Sequence, residues 1–305
     1  MIKLPSGVNI ENLISDLRIF SWEASKILLD YAQILKDSNN KSNILENDNM
    51  EDPVTLADLK VNELIIGRIN EKYKNINWEI LSEENVKGMP KSSQSQANSE
   101  WLWVLDPLDG TKDFIQGTQN YAMHLALNYK QRPYLGVVLI PERGELWIAH
   151  EEKVWCERKD NHQIIPIFKD NKTLKEMIIV TSKNHRNKTL GNLIEKIGFK
   201  NVITMGSIGC KIASILRGES DIYICLSLKG QSSPKDWDFA APEALLKTAG
   251  GAITSLDNEE LVYGKSNFEQ SGIIIASNNF KTHEDLCHEI REVIKKYNIY
   301  PLKIN

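Results

Sequence analysis

The chain has few cysteines, no excess of basic charge and no long apolar run. Its 305 residues include only Cys156, Cys210, Cys225 and Cys287, and no two of them form C-x-x-C. That spacing speaks against a thiolate zinc site and against a disulfide scaffold, and it predicts four reduced thiols in a cytoplasmic protein. Lys plus Arg number 37 against 41 Asp plus Glu, a formal charge of −4. There is no basic surplus with which to coat a nucleic-acid polymer, and a small anionic partner needs a source of positive charge inside its site. Apolar runs such as 135–140 are far too short to cross a bilayer. The first twenty residues carry Asp and Glu where a signal peptide has an apolar core. Repeats and low-complexity tracts are also missing. What remains, 41% hydrophobic and 26% charged, is a soluble globular composition, long enough for one large domain or two ordinary ones.

Leu13, Leu17, Phe20, Ala24, Ile27, Leu28, Tyr31 and Leu35 recur at helical spacing and predict a helix over about 9–36. A second helix is expected over about 55–73, with Val61, Leu64, Ile65 and Ile69 facing inward. The Asn-rich stretch 36–52 between them reads as loop. A short strand over 78–81 precedes a polar surface loop at 85–100. Apolar segments at 101–105, 121–130, 133–140, 145–150 and 153–157, joined by short turns, predict an antiparallel meander. Beyond 159, strands at 177–182, 202–204, 221–226 and 272–277 alternate with helical segments at 187–197, 207–217 and 239–249, which predicts a mostly parallel or mixed layer. The fold class is therefore α/β (α+β). A boundary is expected in the polar stretch near 160–176, giving subdomains 1–165 and 166–305.

Chemistry concentrates in four places. The first is Asp106-Pro107-Leu108-Asp109-Gly110-Thr111, where a strand is expected to end in a tight turn. Pro107 fixes φ and Gly110 permits positive φ or a close approach. Two carboxylates three apart on such a turn, helped by the Leu108 carbonyl, can share hard cations such as Mg²⁺. The same residues also suit an Asx-turn that merely satisfies backbone donors. The second is Glu83-Glu84 at the C-terminal end of a strand, either a solvated loop start or a pair held by a cation. The third is Asp236-Trp237-Asp238, with Asp238 read as the N-cap of a helix, Pro242 in its first turn and Gly250-Gly251 as its stop. A helix N-terminus also favours a phosphate nearby. The fourth is Thr55-x-x-Asp58, a capping box, in which Asp58 can also hold Thr111.

In this order, P-V-T-x-A-D, E-E after a strand, D-P-L-D-G-T and W-D before a Gly-terminated helix, the motifs resemble those of the inositol monophosphatase superfamily over residues 10 to 295. The resemblance implies a layered αβαβα sandwich and a lithium-sensitive, Mg²⁺-dependent phosphatase with two or three ions. It implies one Mg²⁺ on Glu83, Asp106 and the Leu108 carbonyl and a second on Asp106, Asp109 and Asp238. A third, weaker ion leans on Glu83. Thr111, oriented by Asp58, positions the attacking water.

Within the superfamily, Lys112 in D-G-T-K-D-F, the Ser182–His185 segment, Gly206-Ser207-Ile208-Gly209-Cys210-Lys211 and W-D-F-A-A-P-E resemble the bisphosphate nucleotidases. Gly110, Thr111, Lys112, His185, Gly206, Ser207 and Lys211 are then expected to contact a phosphorylated nucleotide, adenosine 3′,5′-bisphosphate. That substrate would place the protein in sulfate assimilation. Inositol phosphate, fructose 1,6-bisphosphate and a non-catalytic metal- or nucleotide-binding regulator remain as alternatives. No membrane or nucleic-acid partner is expected, and family members occur as monomers and dimers.

Overall fold

The computed structural model describes residues 2–37, 55–87, 89, 97, 99–158, 162–164 (backbone only), 172–183, 187–228, 230 and 232–300. The expected loops at 36–52 and 85–100 and the expected boundary near 160–176 fall largely outside these residues.

The chain opens with α1 (Ile10–Asp37) and α2 (Leu56–Lys72), followed by β1 (Glu79–Ser82) and a one-turn helix, α3 (Glu83–Lys87). Then come β2 (Trp101–Asp109), the short α4 (Thr111–Ile115), and β3 (Ala122–Tyr129), β4 (Arg132–Ile140), β5 (Glu145–His150), β6 (Lys153–Arg158) and β7 (His162–Ile164). The second half holds β8 (Ile178–Ser182), α5 (Lys188–Ile197), β9 (Asn201–Met205), α6 (Ile208–Leu216), β10 (Ile222–Leu226), α7 (Asp236–Thr248), β11 (Ala252–Ser255), β12 (Ile273–Ser277) and α8 (Phe280–Tyr297). The sequence expectation lacked α3, α4, β7, β11 and α8.

Strands β1 to β7 form one sheet in chain order, antiparallel from β2 to β7 as the meander predicts, with β1 added parallel to β2. The second sheet runs β11-β12-β10-β8-β9 and is mixed: β8 pairs parallel with β9 and β10, while β12 pairs antiparallel with β10 and β11.

Strand side chains alternate between faces, so a sheet covered on both sides needs two apolar sets. Trp101, Trp103, Leu105, Leu125, Leu127, Val137, Leu139 and Ile148 pack under α1 and α2. On the other face Leu102, Val104, Ala122, Ala126, Val138, Trp147 and Ala149 meet α6 and α7, which in turn cover one face of the second sheet. The outer face of that sheet is closed by α5 and α8 through Ile179, Ile224, Ile275, Leu193, Leu286 and Ile290. The result is the expected αβαβα sandwich. Small residues bring its middle layer close. At Gly136 a Cβ would lie 2.6 Å from the Ala244 Cβ and 2.8 Å from the Ala241 carbonyl oxygen, so α7 rests directly on β4.

Candidate active site

The parallel pairing of β1 with β2 places their C-terminal ends side by side, with Ser82 opposite Leu105. Glu83 therefore follows at the level of Asp106, close enough for its charge to push the Asp106 carboxyl up. A regular strand would point Asp106 and Asp109 to opposite faces, because they are three residues apart. The strand does not stop at residue 105 as expected. It continues to Asp109 through a bulge: Asp106 faces His124 on β3 and Asp109 faces Ala122, so three steps on β2 match two on β3. The extra residue returns Asp109 to the side of Asp106. It falls beside Pro107, which has no N–H to give to the ladder. Gly110 then turns the chain into α4 with φ +88°. A Cβ there would lie 2.9 Å from the Asn120 carbonyl oxygen.

Three helix N-termini meet these strand ends. At α2 the capping box is complete: the Thr55 N–H donates to Asp58 Oδ2 at 2.8 Å and the Thr55 hydroxyl to the same oxygen at 2.5 Å. Asp58 Oδ1 stays available to the Thr111 hydroxyl at 3.4 Å, which also donates to the Leu108 carbonyl at 3.0 Å. Asp58 thus serves both the cap and Thr111. At α6, Asp109 Oδ2 accepts from the Ser207 hydroxyl at 2.7 Å and from the Ile208 N–H at 2.5 Å. At α7 the N-cap is Lys235, not Asp238. Asp238 lies three residues inside, where its carboxylate accepts from the Lys235 N–H at 2.6 Å. Pro242 consequently sits in the second turn rather than the first.

Oxygen atoms of Asp106, Asp109 and Asp238 lie within 4.8 Å of one another. Burial, then the charges of Glu83, Asp109 and Asp238, push the Asp106 carboxyl far above the ordinary carboxylate range. Burial and the charges of Asp109 and Glu83 do the same to Asp238. Asp58 is pushed up to about 8, chiefly by burial and further by Glu84 and Glu83, against the hydrogen bonds from Thr55. Carboxylates packed this closely out of water oppose ionisation unless a cation joins them. An all-oxygen donor set suits a hard divalent ion such as Mg²⁺. Lys87 pairs with Glu83 at 2.9 Å and with Glu84 at 3.3 Å at the rim.

The other expected contacts are distributed unevenly. Lys112 is half-buried beside Thr111. Gly206 lies over Asp113, whose Oδ2 would be 2.2 Å from a Cβ at that position. Ser207 and Lys211 are fully buried. The Lys211 ammonium donates to the Gly206 carbonyl at 2.6 Å and stands 5.1 Å above the centre of the Tyr223 ring. Burial holds its pKa below that of an ordinary lysine. His185 lies outside the described residues. Two residues without an expectation join the site. Asp113 is buried and accepts from the Thr118 hydroxyl at 2.6 Å. His124 is buried beside Asp109, and its only sequence signal is a polar residue inside the apolar segment 121–130.

The chain as a whole has known relatives. The chain is 30% identical over 213 residues to the 3′(2′),5′-bisphosphate nucleotidase CysQ of Aggregatibacter actinomycetemcomitans, covering 70% of this chain and 76% of that protein. With CysQ of Haemophilus influenzae the identity is 26% over 260 residues, 84% and 88% of the two chains. The solved IMPase of Thermotoga maritima superposes with a TM-score of 0.71 at 22% identity, covering 94% of this chain and 99% of that one. The sequence profile of the inositol monophosphatase family matches residues 11–295, a span that takes in every strand end and helix start gathered around Asp106, and the chain belongs to that family.

Proposed function

We propose that this family phosphatase hydrolyses the 3′-phosphate of adenosine 3′,5′-bisphosphate to AMP and phosphate, with Mg²⁺ as cofactor. The observation that carries the reading is the convergence of Asp106, Asp109 and Asp238 with Glu83 on one side and the Asp58–Thr111 pair on the other. The nucleotide is favoured over an inositol phosphate by the relatives' names and by Lys112, Gly206, Lys211 and the W-D-F-A-A-P-E segment.

Glu83, Asp106 and the Leu108 carbonyl would hold one ion, and Asp106, Asp109 and Asp238 a second, with Glu83 at the edge of a third. When bound, these ions supply Lewis-acid polarisation of the phosphoryl group and acidify the attacking water. The chain's own groups do the rest. The Thr111 hydroxyl hydrogen is directed at Asp58 Oδ1 and the Leu108 carbonyl, so its lone pairs face outward to accept from a water. Asp58 receives the proton through Thr111, since its other oxygen is saturated by Thr55. The N–H groups of Gly110 and Thr111 are offered to the phosphate oxygens as charge grows there. Lys112 and Lys211 balance the remaining 5′-phosphate, the former from the rim and the latter from within. No cysteine, histidine or aspartate stands in a nucleophile motif, so direct attack by water is the step these residues fit.

Phosphate release under Mg²⁺ tests this. The bisphosphate nucleotide, inositol 1-phosphate and fructose 1,6-bisphosphate are compared side by side. The nucleotide is expected to give the highest kcat/KM, and Asp106→Asn to lose roughly 10³-fold or more in kcat with the fold retained by circular dichroism. Preference for inositol 1-phosphate would replace the substrate, and release from none would favour a regulator. Wild-type turnover in Asp106→Asn would sink the assignment of the site.

A further inference from the structure

We propose that His124 is a positioning residue of the metal centre, a wedge that sets the separation between Asp109 and the helix carrying Asp238. The inference rests on the metal reading above and adds a residue outside it. His124 is fully buried on β3, directly across from Asp106, on the face that meets α6 and α7. Its neighbours along that face, Ala122 and Ala126, are small and leave room for the imidazole.

Two hydrogen bonds and one close approach reach three different segments. Nδ1 is 3.2 Å from the Trp237 carbonyl in the first turn of α7. Nε2 is 3.1 Å from the Gly209 N–H in the first turn of α6. Nε2 is also 3.2 Å from Asp109 Oδ2 at the β2 bulge. A carbonyl can only accept, so the ring proton belongs on Nδ1. Nε2 accepts from the Gly209 N–H, which lies 3.3 Å from Asp109 Oδ2 as well. The ring and Asp109 share one donor, and the ring stands where Asp109 would otherwise swing.

Two further observations show that the fit is built. A Cβ on Gly209 would come within 2.3 Å of Nε2, so the helix approaches the ring as closely as a glycine permits. Pro242 has no N–H to close the helical bond onto the Asp238 carbonyl. Besides its own Asp238–Lys235 cap, the first turn of α7 is tied from outside by His124 at the Trp237 carbonyl and by the Phe268 carbonyl at the Asp236 N–H.

Isothermal titration of the full chain with MgCl₂ tests the proposal without depending on turnover. His124→Asn keeps an amide donor for the Trp237 carbonyl but does not reach Gly209, while His124→Leu keeps volume and loses both bonds. We expect Mg²⁺ affinity to fall about threefold in the first and about tenfold or more in the second, as for lost outer partners of metal ligands. The kcat of both should recover at saturating Mg²⁺, with the nucleotide KM unchanged. Wild-type Mg²⁺ affinity in either folded variant would overturn the proposal, whatever happens to thermal stability. A wild-type chain that binds no Mg²⁺ would instead overturn the metal reading, and this inference with it.

Discussion

Asp58 illustrates how one side chain is placed for a structural duty and for the chemical one proposed above. Oδ2 completes the α2 cap by accepting both the amide and the hydroxyl of Thr55, while Oδ1 faces Thr111. Asp58→Asn separates the two. Its carbonyl oxygen can keep the cap while its NH₂ replaces the acceptor for Thr111. Thermal stability should change little, and kcat should fall roughly 10²–10⁴-fold, the usual range for a lost proton acceptor. A melting and turnover pair on the same preparation decides it, because equal loss of both would mean that the cap alone was broken. Gly110 is constrained more simply. Its φ of +88°, and an Asn120 carbonyl oxygen that would stand 2.9 Å from any Cβ, leave no room for a side chain. Gly110→Ala should cost about 1–3 kcal/mol in urea unfolding and should also lower kcat, since Thr111 follows directly. That glycine was legible from D-P-L-D-G-T alone. His124 was not, because a histidine in an apolar strand has no spacing that announces its partners, and Gly209, Trp237 and Asp109 reach it from other segments.

Element boundaries show the same division. The amphipathic helices and the meander followed from apolar spacing, because each buries a continuous stripe or face. Register did not follow. The pairing of β1 parallel to β2, which sets Glu83 beside Asp106, depends on the chain crossing from 87 to 101, and the bulge at Asp106–Asp109 is a property of two paired strands rather than of one. The cap of α7 was expected three residues too late because Asp238 looks like a cap in isolation. The actual start is fixed by Lys235, which bridges to Glu269, and by the Asp236 N–H, which donates to the Phe268 carbonyl. Helix α7 also buries Glu243, whose carboxyl accepts the Tyr263 hydroxyl and is pushed up to about 7, chiefly by burial. Its folded value lies above its unfolded value of 4.5, so the folded chain keeps a proton that the unfolded chain releases. The stabilisation is complete below 4.5 and is lost as the pH rises through about 7, on the order of 3 kcal/mol across that window. Glu243→Gln should retain the Tyr263 contact and flatten this part of the stability profile. Denaturant melts of both proteins between pH 4.5 and 8 in saturating Mg²⁺ would show parallel curves if the carboxyl were not the cause.

For the molecule as a whole, the mild negative charge leaves an anionic ligand dependent on positive charge in its site, and on the proposed reading bound cations would supply it. Five layers bring Asp58, Glu83, Asp106, Asp109 and Asp238 together from both halves of the chain, and folding itself makes Asp58, Asp106 and Asp238 resist ionisation. The sign of the linkage follows. In the metal-free chain Asp106 and Asp238 titrate above the ordinary carboxylate range, so the folded state holds protons that the unfolded state has lost. Metal-free stability should therefore decline as the pH rises above that ordinary range. Under the proposed function Mg²⁺ would require the ionised carboxylates and displace those protons, so its affinity should increase with pH. Saturation at a hundred times Kd adds about 2.7 kcal/mol, a shift of several degrees. Thermal melts in EDTA and in excess Mg²⁺ should differ more at pH 8 than at pH 5.5, and the difference should shrink at both pH values in Asp106→Asn. A difference between EDTA and Mg²⁺ that did not change with pH would mean that the ions bind without displacing protons, and that the cluster around Asp106 is not where they bind.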